Sequence, residues 1–245
     1  MNYVFVYLPN KTISTIMKSL SSYIQEKLII KKSNKQSNNY KYFPKTKKEL
    51  KDIIDKRIEQ EGNKVDLNDI DVSKITDMSK LFEETDFNGD ISEWDVSNVT
   101  DMSYMFYRCE AFNQDISSWD VSNITNMHAM FYGCKAFNQD ISGWDVSNVT
   151  DMSYMFRYCK AFNQDISGWD VSNVTDISNM FYNCKAFNQD ISNWDVSNVT
   201  NMQGMFAWCE AFNQDISNWD VSKVKNVYSI FIGCSIEEKY KPKFK

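Results

Sequence analysis

The stretch WDVSNVTDMSYMFYRCEAFNQDISS, residues 94–118, is followed by four near-copies of itself and a shortened fifth, each 25 residues further on. Within it AFNQDIS recurs without a changed letter from Ala111, Ala136, Ala161, Ala186 and Ala211. Trp94, Trp119, Trp144, Trp169, Trp194 and Trp219 keep the same spacing, as do Cys109, Cys134, Cys159, Cys184, Cys209 and Cys234. A constant period of this length is the mark of one structural unit stacked on copies of itself.

Counting slots from the Trp, apolar residues occupy slots 1, 3, 6, 9, 12, 13, 16, 18, 19 and 23. Met102, Met105, Phe106 and Cys109 follow i, i+3, i+4, i+7, which predicts a short α-helix. Thr100 stands before it as a candidate N-cap. DISSWDV alternates Trp and Val like a short strand. A strand, a turn, a short helix and a return loop cannot bury their own apolar face, so the coils are expected to stack into a solenoid with one shared core.

The flanks depart from the consensus. Residues 71–93 form a degenerate copy without Trp or Cys. Upstream, TKKE at 46–49 is a capping box followed by Leu50, Ile53, Ile54 and Ile58, with a stop at Gly62. Val65 and Leu67 alternate like an edge strand. Ile13, Ile16, Met17, Leu20, Ile24 and Leu28 make a second amphipathic stripe, separated by the polar linker KKSNKQSNN. The expected organisation is an N-terminal amphipathic helix and linker (1–43), a cap helix and strand (44–68), about seven coils (69–234) and a charged tail (235–245).

The net charge of -6 divides unevenly: residues 1–68 carry net +7 and residues 69–245 net -13. An acidic main body argues against a nucleic-acid partner, which needs a concentrated basic face. No stretch approaches the length of a membrane-spanning apolar helix, which is about 18 residues or more. The opening MNYVFVYLPNKT has no basic region before its apolar run and no cysteine to lipidate, so the default expectation is cytoplasmic.

The iterated WDVSNVTDMSYMF..C.AFNQDIS over residues 71–234 resembles the repeat of the BspA-like leucine-rich-repeat surface proteins, also met as a mycoplasma-type lipoprotein repeat of unassigned function. The preceding PKTKKELKDIIDKRIEQEG is similar to the cap that introduces such arrays. The resemblance implies an α/β fold, a leucine-rich-repeat-like solenoid of 25-residue coils with a parallel sheet of short strands, short helices opposite and a helical N-terminal cap. It also implies adhesion or partner binding at a cell surface.

The repeated polar residues read as structure rather than chemistry. Aspartates recur in slot 2 (Asp71 to Asp220) and slot 22 (Asp90 to Asp215). Strands about 4.8 Å apart would stack like charges that repel by about 0.8 kcal/mol in water, or about 3 kcal/mol at an effective dielectric of about 20. Hydrogen bonds to backbone N–H groups in turns are the expected compensation. Asn113, Gln114 and their copies are expected to form amide columns joining coil to coil. One Cys per coil on an apolar face gives no paired metal ligands, so buried free thiols are expected. His128, in a slot otherwise filled by Ser or Gln, is expected to face solvent. No catalytic constellation stands out, and neither a metal nor a cofactor is expected.

Function is therefore sought where the copies differ. Slot 25 and the neighbouring slot 2 aspartates, namely Glu93, Asp95, Ser118, Asp120, Gly143, Asp145, Gly168, Asp170, Asn193, Asp195, Asn218 and Asp220, form the candidate partner-binding face. Slots 14 and 15 add Tyr107, Tyr132, Tyr158, Tyr182 and Trp208, either interface or partial core. The leading expectation is a non-enzymatic, monomeric interaction or adhesion scaffold for an unidentified protein. The alternative is an intracellular assembly protein whose basic N-terminal segment docks on an acidic partner or on another copy.

Overall fold

The amide groups of residues 102–109 decide the architecture. In a helix they would donate four residues back; here they divide between two directions. Met105, Tyr107 and Cys109 donate to carbonyls three residues earlier, at 2.9–3.1 Å, while Met102, Tyr104, Phe106 and Arg108 donate to Asn126, His128, Met130 and Tyr132 of the next coil, at 2.6–3.1 Å. The remaining amide, Ser103, is taken by Asp101 Oδ1 at 2.8 Å. Every donor of the segment is satisfied. This computed structural model describes residues 40–244, and the same pattern recurs in its successive coils.

The predicted α/β leucine-rich-repeat-like solenoid, with its parallel sheet and opposing helices, is not what forms. The described residues contain one α-helix, α1 (Lys47–Glu61), one 3-10 turn (Glu238–Tyr240) and no strand. Parallel pairing is reduced to single bridges, one between Tyr42 and Ile70 and the rest in slot 8, running Asp77, Asp101, Asn126, Asp151, Asp176, Asn201, Asn226. The physical reason lies in slots 11 and 15, where every residue from Lys80 to Gly233 has φ between 51° and 76°. A positive φ at the third position of a four-residue turn, and not at the second, is the type II pattern. Consecutive turns of this kind keep slots 9, 12, 13 and 16 on one side, as a helix would, while aiming alternate N–H groups along the stack. The left-handed backbone costs about 1–2 kcal/mol at a non-glycine residue, offset by coil-to-coil hydrogen bonds that a helix would not make.

The core reading holds. Slots 1, 3, 6, 9, 12, 13, 16, 19 and 23 are buried in each full copy, whereas Ala111 and Ala136 of slot 18 are exposed. Slot 13 phenylalanines, Phe82 through Phe231, form a stacked file with centroids 5.4–5.9 Å apart. Each except Phe231 also stacks on the slot 19 ring of its own coil, as Phe106 does on Phe112 at 3.9 Å. The Trp indoles lie along another edge of this core, Trp194 and Trp219 being 6.5 Å apart and nearly coplanar in orientation at 3°.

Side chains sew the coils together. Trp119 Nε1 donates to the Ile91 carbonyl of the preceding coil at 3.2 Å. Cys134 Sγ donates to Phe106 O at 3.0 Å. Thr100 caps no helix; its amide and Oγ1 both donate to Thr76 O. The amide column is present: Asn138 N–H donates to Asn113 Oδ1, and Asn163 N–H to Asn138 Oδ1, each at 2.9 Å. Gln164 Nε2 adds a bond to Asn138 O at 3.0 Å.

Helix α1 starts where the capping box places it. Thr46 Oγ1 accepts from the Glu49 amide at 3.2 Å and Glu49 Oε2 from the Lys45 amide at 2.7 Å. It buries Leu50, Ile54 and Arg57, and ends at Gly62 with φ 87°. Arg57 is held by Glu61, by Asp69 Oδ1 at 2.8 Å and by Asp66 O at 3.0 Å. Val65 and Leu67 are buried without forming a strand. No helix among the described residues is long and apolar enough to cross a membrane. The amphipathic stripe over residues 13–28 and the linker after it lie outside the described residues.

Candidate functional site

The turns that replace the helix set slots 10, 11, 14 and 15 on the side away from the phenylalanine core, where small residues such as Ser153, Ala129 and Ala207 are buried and larger ones reach the surface. These slots carry most of the variation between coils. Tyrosines gather there: Tyr107 stacks on Tyr132 at 4.6 Å, Tyr132 meets Tyr158 edge-on at 5.5 Å, and Tyr158 meets Tyr182 at 5.4 Å. These four are half-buried. Farther along, Trp208, Tyr228 and Ile232 are 46%, 74% and 50% exposed, unusual values for large apolar side chains.

Between them lies a cleft of about 510 Å³, whose lining includes Tyr154, Arg157, Tyr182, Gly204, Trp208 and Tyr228. Gly204 makes room for it. It occupies slot 11, where Tyr104 and Tyr154 stand in other coils, and its φ is 60°. A Cβ there would come within 2.6 Å of Asn179 Oδ1.

Arg157 forms one wall. Its guanidinium carbon is 3.8 Å from the Tyr182 ring centroid, 5.0 Å from Tyr158, 5.4 Å from Tyr154 and 6.0 Å from Tyr132. Nη1 donates to Asn179 Oδ1 at 2.7 Å and Nη2 to Tyr158 Oη at 3.4 Å. Nε is buried without an acceptor among the described residues. A guanidinium against several aromatic faces is stabilised by their quadrupoles, but its charge meets no carboxylate within ion-pair distance among the described residues.

His128 belongs to the same band and is not the solvent-facing residue expected. Its side chain is 24% exposed. Nε2 is 2.8 Å from Tyr104 Oη and Nδ1 is 2.6 Å from Ser153 Oγ, which donates to Asp151 Oδ1 at 2.5 Å. Burial pushes the Asp151 carboxyl up, but the bonds from His128 and Ser153 outweigh it and hold it below the usual range. The coils on either side place Ser103 and Ser153 at the His128 position, so nothing in the repeat pattern signals this chain of bonds.

The twelve residues of the candidate partner face are all exposed, and none lines the cleft. They sit on turns instead of a sheet. Asp95, Asp120, Asp145, Asp170, Asp195 and Asp220 each accept from a serine amide two residues on, at 3.0–3.3 Å. Ser118 Oγ donates to Ser92 O at 2.8 Å, Asn218 Nδ2 to Ser192 O at 3.1 Å, and the Glu93 amide to Asn68 Oδ1 at 2.9 Å. Gly143 and Gly168 leave open space beside their Cα atoms, and Asn193 is the matching position of the next coil. Burial pushes the thiols of Cys134, Cys159 and Cys184 far above their ordinary range. Among the described residues no group of three or more His, Cys, Asp or Glu converges as a metal set would.

The family described as Mycoplasma protein of unknown function, DUF285, matches residues 48–169 and 151–240. No curated protein and no solved structure matches the chain. With the match running through α1 and all the coils, the chain belongs to the DUF285 family of mycoplasma-type repeat proteins.

Proposed function

We propose that this chain is a non-enzymatic scaffold that binds a protein partner, and that the cleft between Arg157 and Trp208 is the contact. The observation that carries this reading is compositional and geometric together. Tyr, Trp and Arg are the side chains that dominate the energetics of protein interfaces, and here they are concentrated on one outward band around a concave site. Large aromatics left half out of water on a folded surface mark a place that something else covers. The resemblance to BspA-like surface proteins supports partner binding as the class of function, with adhesion as its more specific form. The exposed aspartate and slot 25 face is proposed as a secondary contact.

Site-directed photocrosslinking tests this. A benzophenone amino acid replacing Trp208, and separately Asp170, is introduced into the full chain in its native cells. Discrete adducts from position 208 are expected to dominate, with weaker ones from 170. Adducts from 170 alone would move the contact to the aspartate face, and none from either would remove the proposal.

A further inference from the structure

The first full coil reads MFYRC at 105–109, and the third reads MFRYC at 155–159. The exchange of two letters changes the position of a charge. In the first order the arginine is Arg108, in slot 15, 55% exposed and paired with Glu84 at 3.3 Å. In the second it is Arg157, in slot 14, where Tyr107, Tyr132 and Tyr182 stand in neighbouring coils. The guanidinium thereby enters the tyrosine file and leaves the reach of any carboxylate among the described residues.

The surroundings continue that pattern. The residues lining the cleft are Tyr, Trp, Asn, Gln, Gly, Ser, Ile and Arg157, with no Asp or Glu among them. Slot 8 needs only an acceptor for the slot 10 amide and is filled by Asp101, Asp151 and Asp176 in some coils and by Asn126, Asn201 and Asn226 in others; the two coils that carry Gln203, Gly204, Trp208 and Tyr228 have asparagine there. Asp176, in the coil of Tyr182, has its Oδ2 engaged by Asn201 Nδ2 at 3.0 Å, and Asp151, in the coil of Arg157, accepts from the Ser153 amide and hydroxyl. A body that is strongly acidic over residues 69–245 thus presents a cleft whose only formal charge is positive and uncompensated.

We infer that the cleft takes an acidic peptide segment, with a glutamate or aspartate carboxylate pairing with Arg157 and an adjoining aromatic or aliphatic side chain lying between Trp208 and Tyr182. Arginine presents a planar fork suited to carboxylate, and the aromatic walls supply apolar area and exclude water from the pair. The acidity of the surrounding surface disfavours acidic chains that lack the apolar anchor, so the two features select together. This rests on the cleft being the contact proposed above.

The test uses the full chain and a displayed library of random dodecapeptides, with free and amidated C-termini as separate arms. Binders selected by the wild-type chain are expected to be enriched in Asp or Glu beside an aromatic or aliphatic residue in both arms. Their affinity should fall at least tenfold in Arg157→Gln and by less in Arg157→Lys, and should be lost in Trp208→Ala. Retained melting temperatures would show that these variants fold. Enrichment only in the free-terminus arm would overturn the side-chain assignment in favour of a terminal carboxylate. Binders that depend on Trp208 but carry no acidic residue, or that ignore Arg157→Gln, would overturn the inference and leave the cleft as the contact. Binders indifferent to both substitutions, or no binders at all, would overturn the inference and the contact together.

Discussion

The thiol of Cys159 lies 2.9 Å from the carbonyl oxygen of Phe131 in the preceding coil, and donates to it. That carbonyl already accepts the amide of Cys134, so the thiol adds a second bond to an oxygen with two lone pairs. The cysteine column is therefore a set of buried donors, not a store of reactive thiols. Cys159→Ala removes the bond and leaves a small void, and should lower stability by about 1–2 kcal/mol, measurable by urea denaturation. In the native protein a thiol reagent should label Cys234 first, since it is only half-buried and its bond to Phe212 O is long at 3.6 Å. The remaining five should react only as the fold opens.

Asn138 connects three coils, taking the Asn163 amide on Oδ1 while its own amide reaches Asn113. Asn138→Ala leaves the Asn163 N–H without its acceptor, at a cost of about 1–3 kcal/mol. Hydrogen exchange at the Asn163 amide should accelerate in that variant, and a neutral effect on both rate and stability would show the column to be dispensable.

Gly89 stands where the other coils have Gln, because the segment after α1 passes over it. A Cβ there would come within 2.0 Å of the Val65 carbonyl oxygen. Backbone cannot give way as a side-chain tip can, so Gly89→Ala should destabilise by about 1–3 kcal/mol or more. The comparison variant Gly143→Ala, where nothing lies within 4 Å, should stay near the wild-type melting temperature.

The aspartate columns set a pH dependence with a definite sign. The Ser172 hydroxyl and amide hold the Asp170 carboxyl below its ordinary range, against lesser effects of burial and of the neighbouring Asp145 charge. Asp195 is lowered in the same way by Ser197. A carboxyl whose pKa is lower in the folded state stabilises above its unfolded value, about 3.9, and loses that stabilisation as pH falls through the folded value. The melting temperature should therefore hold from pH 7 to about 5 and fall below about 4. If repulsion along the columns outweighed the serine bonds, acidification would raise it instead.

Much of the coil was legible in the sequence. Nine of the ten apolar slots are core, and the amide columns, the free buried thiols and the start of α1 follow from residue type and spacing. The helix and the strands were misread because slots 9, 12, 13 and 16 suit a chain of type II turns as well as a helical face. The sign that separates the two was present. Gly133, Gly204, Gly233, Asn179 and Asn183 all fall in slots 11 and 15, the positions where φ is positive, whereas a helix has no reason to collect Gly and Asn there. The cleft was only half legible. The tyrosines of slots 14 and 15 stood out, but the approach of Arg157 to Tyr182, and the space left by Gly204, depend on side chains 25 or more residues apart.

The turn-built coil is the claim on which the cleft rests, and it makes a direct prediction for scalar couplings across hydrogen bonds. The Phe156 amide donates to the Met180 carbonyl, 3.0 Å away in the next coil. A coupling between the Phe156 nitrogen and the Met180 carbonyl carbon is expected in the full-length protein labelled with nitrogen-15 and carbon-13. A coupling from Phe156 to the carbonyl carbon of Met152, four residues earlier as in an α-helix, would contradict the account.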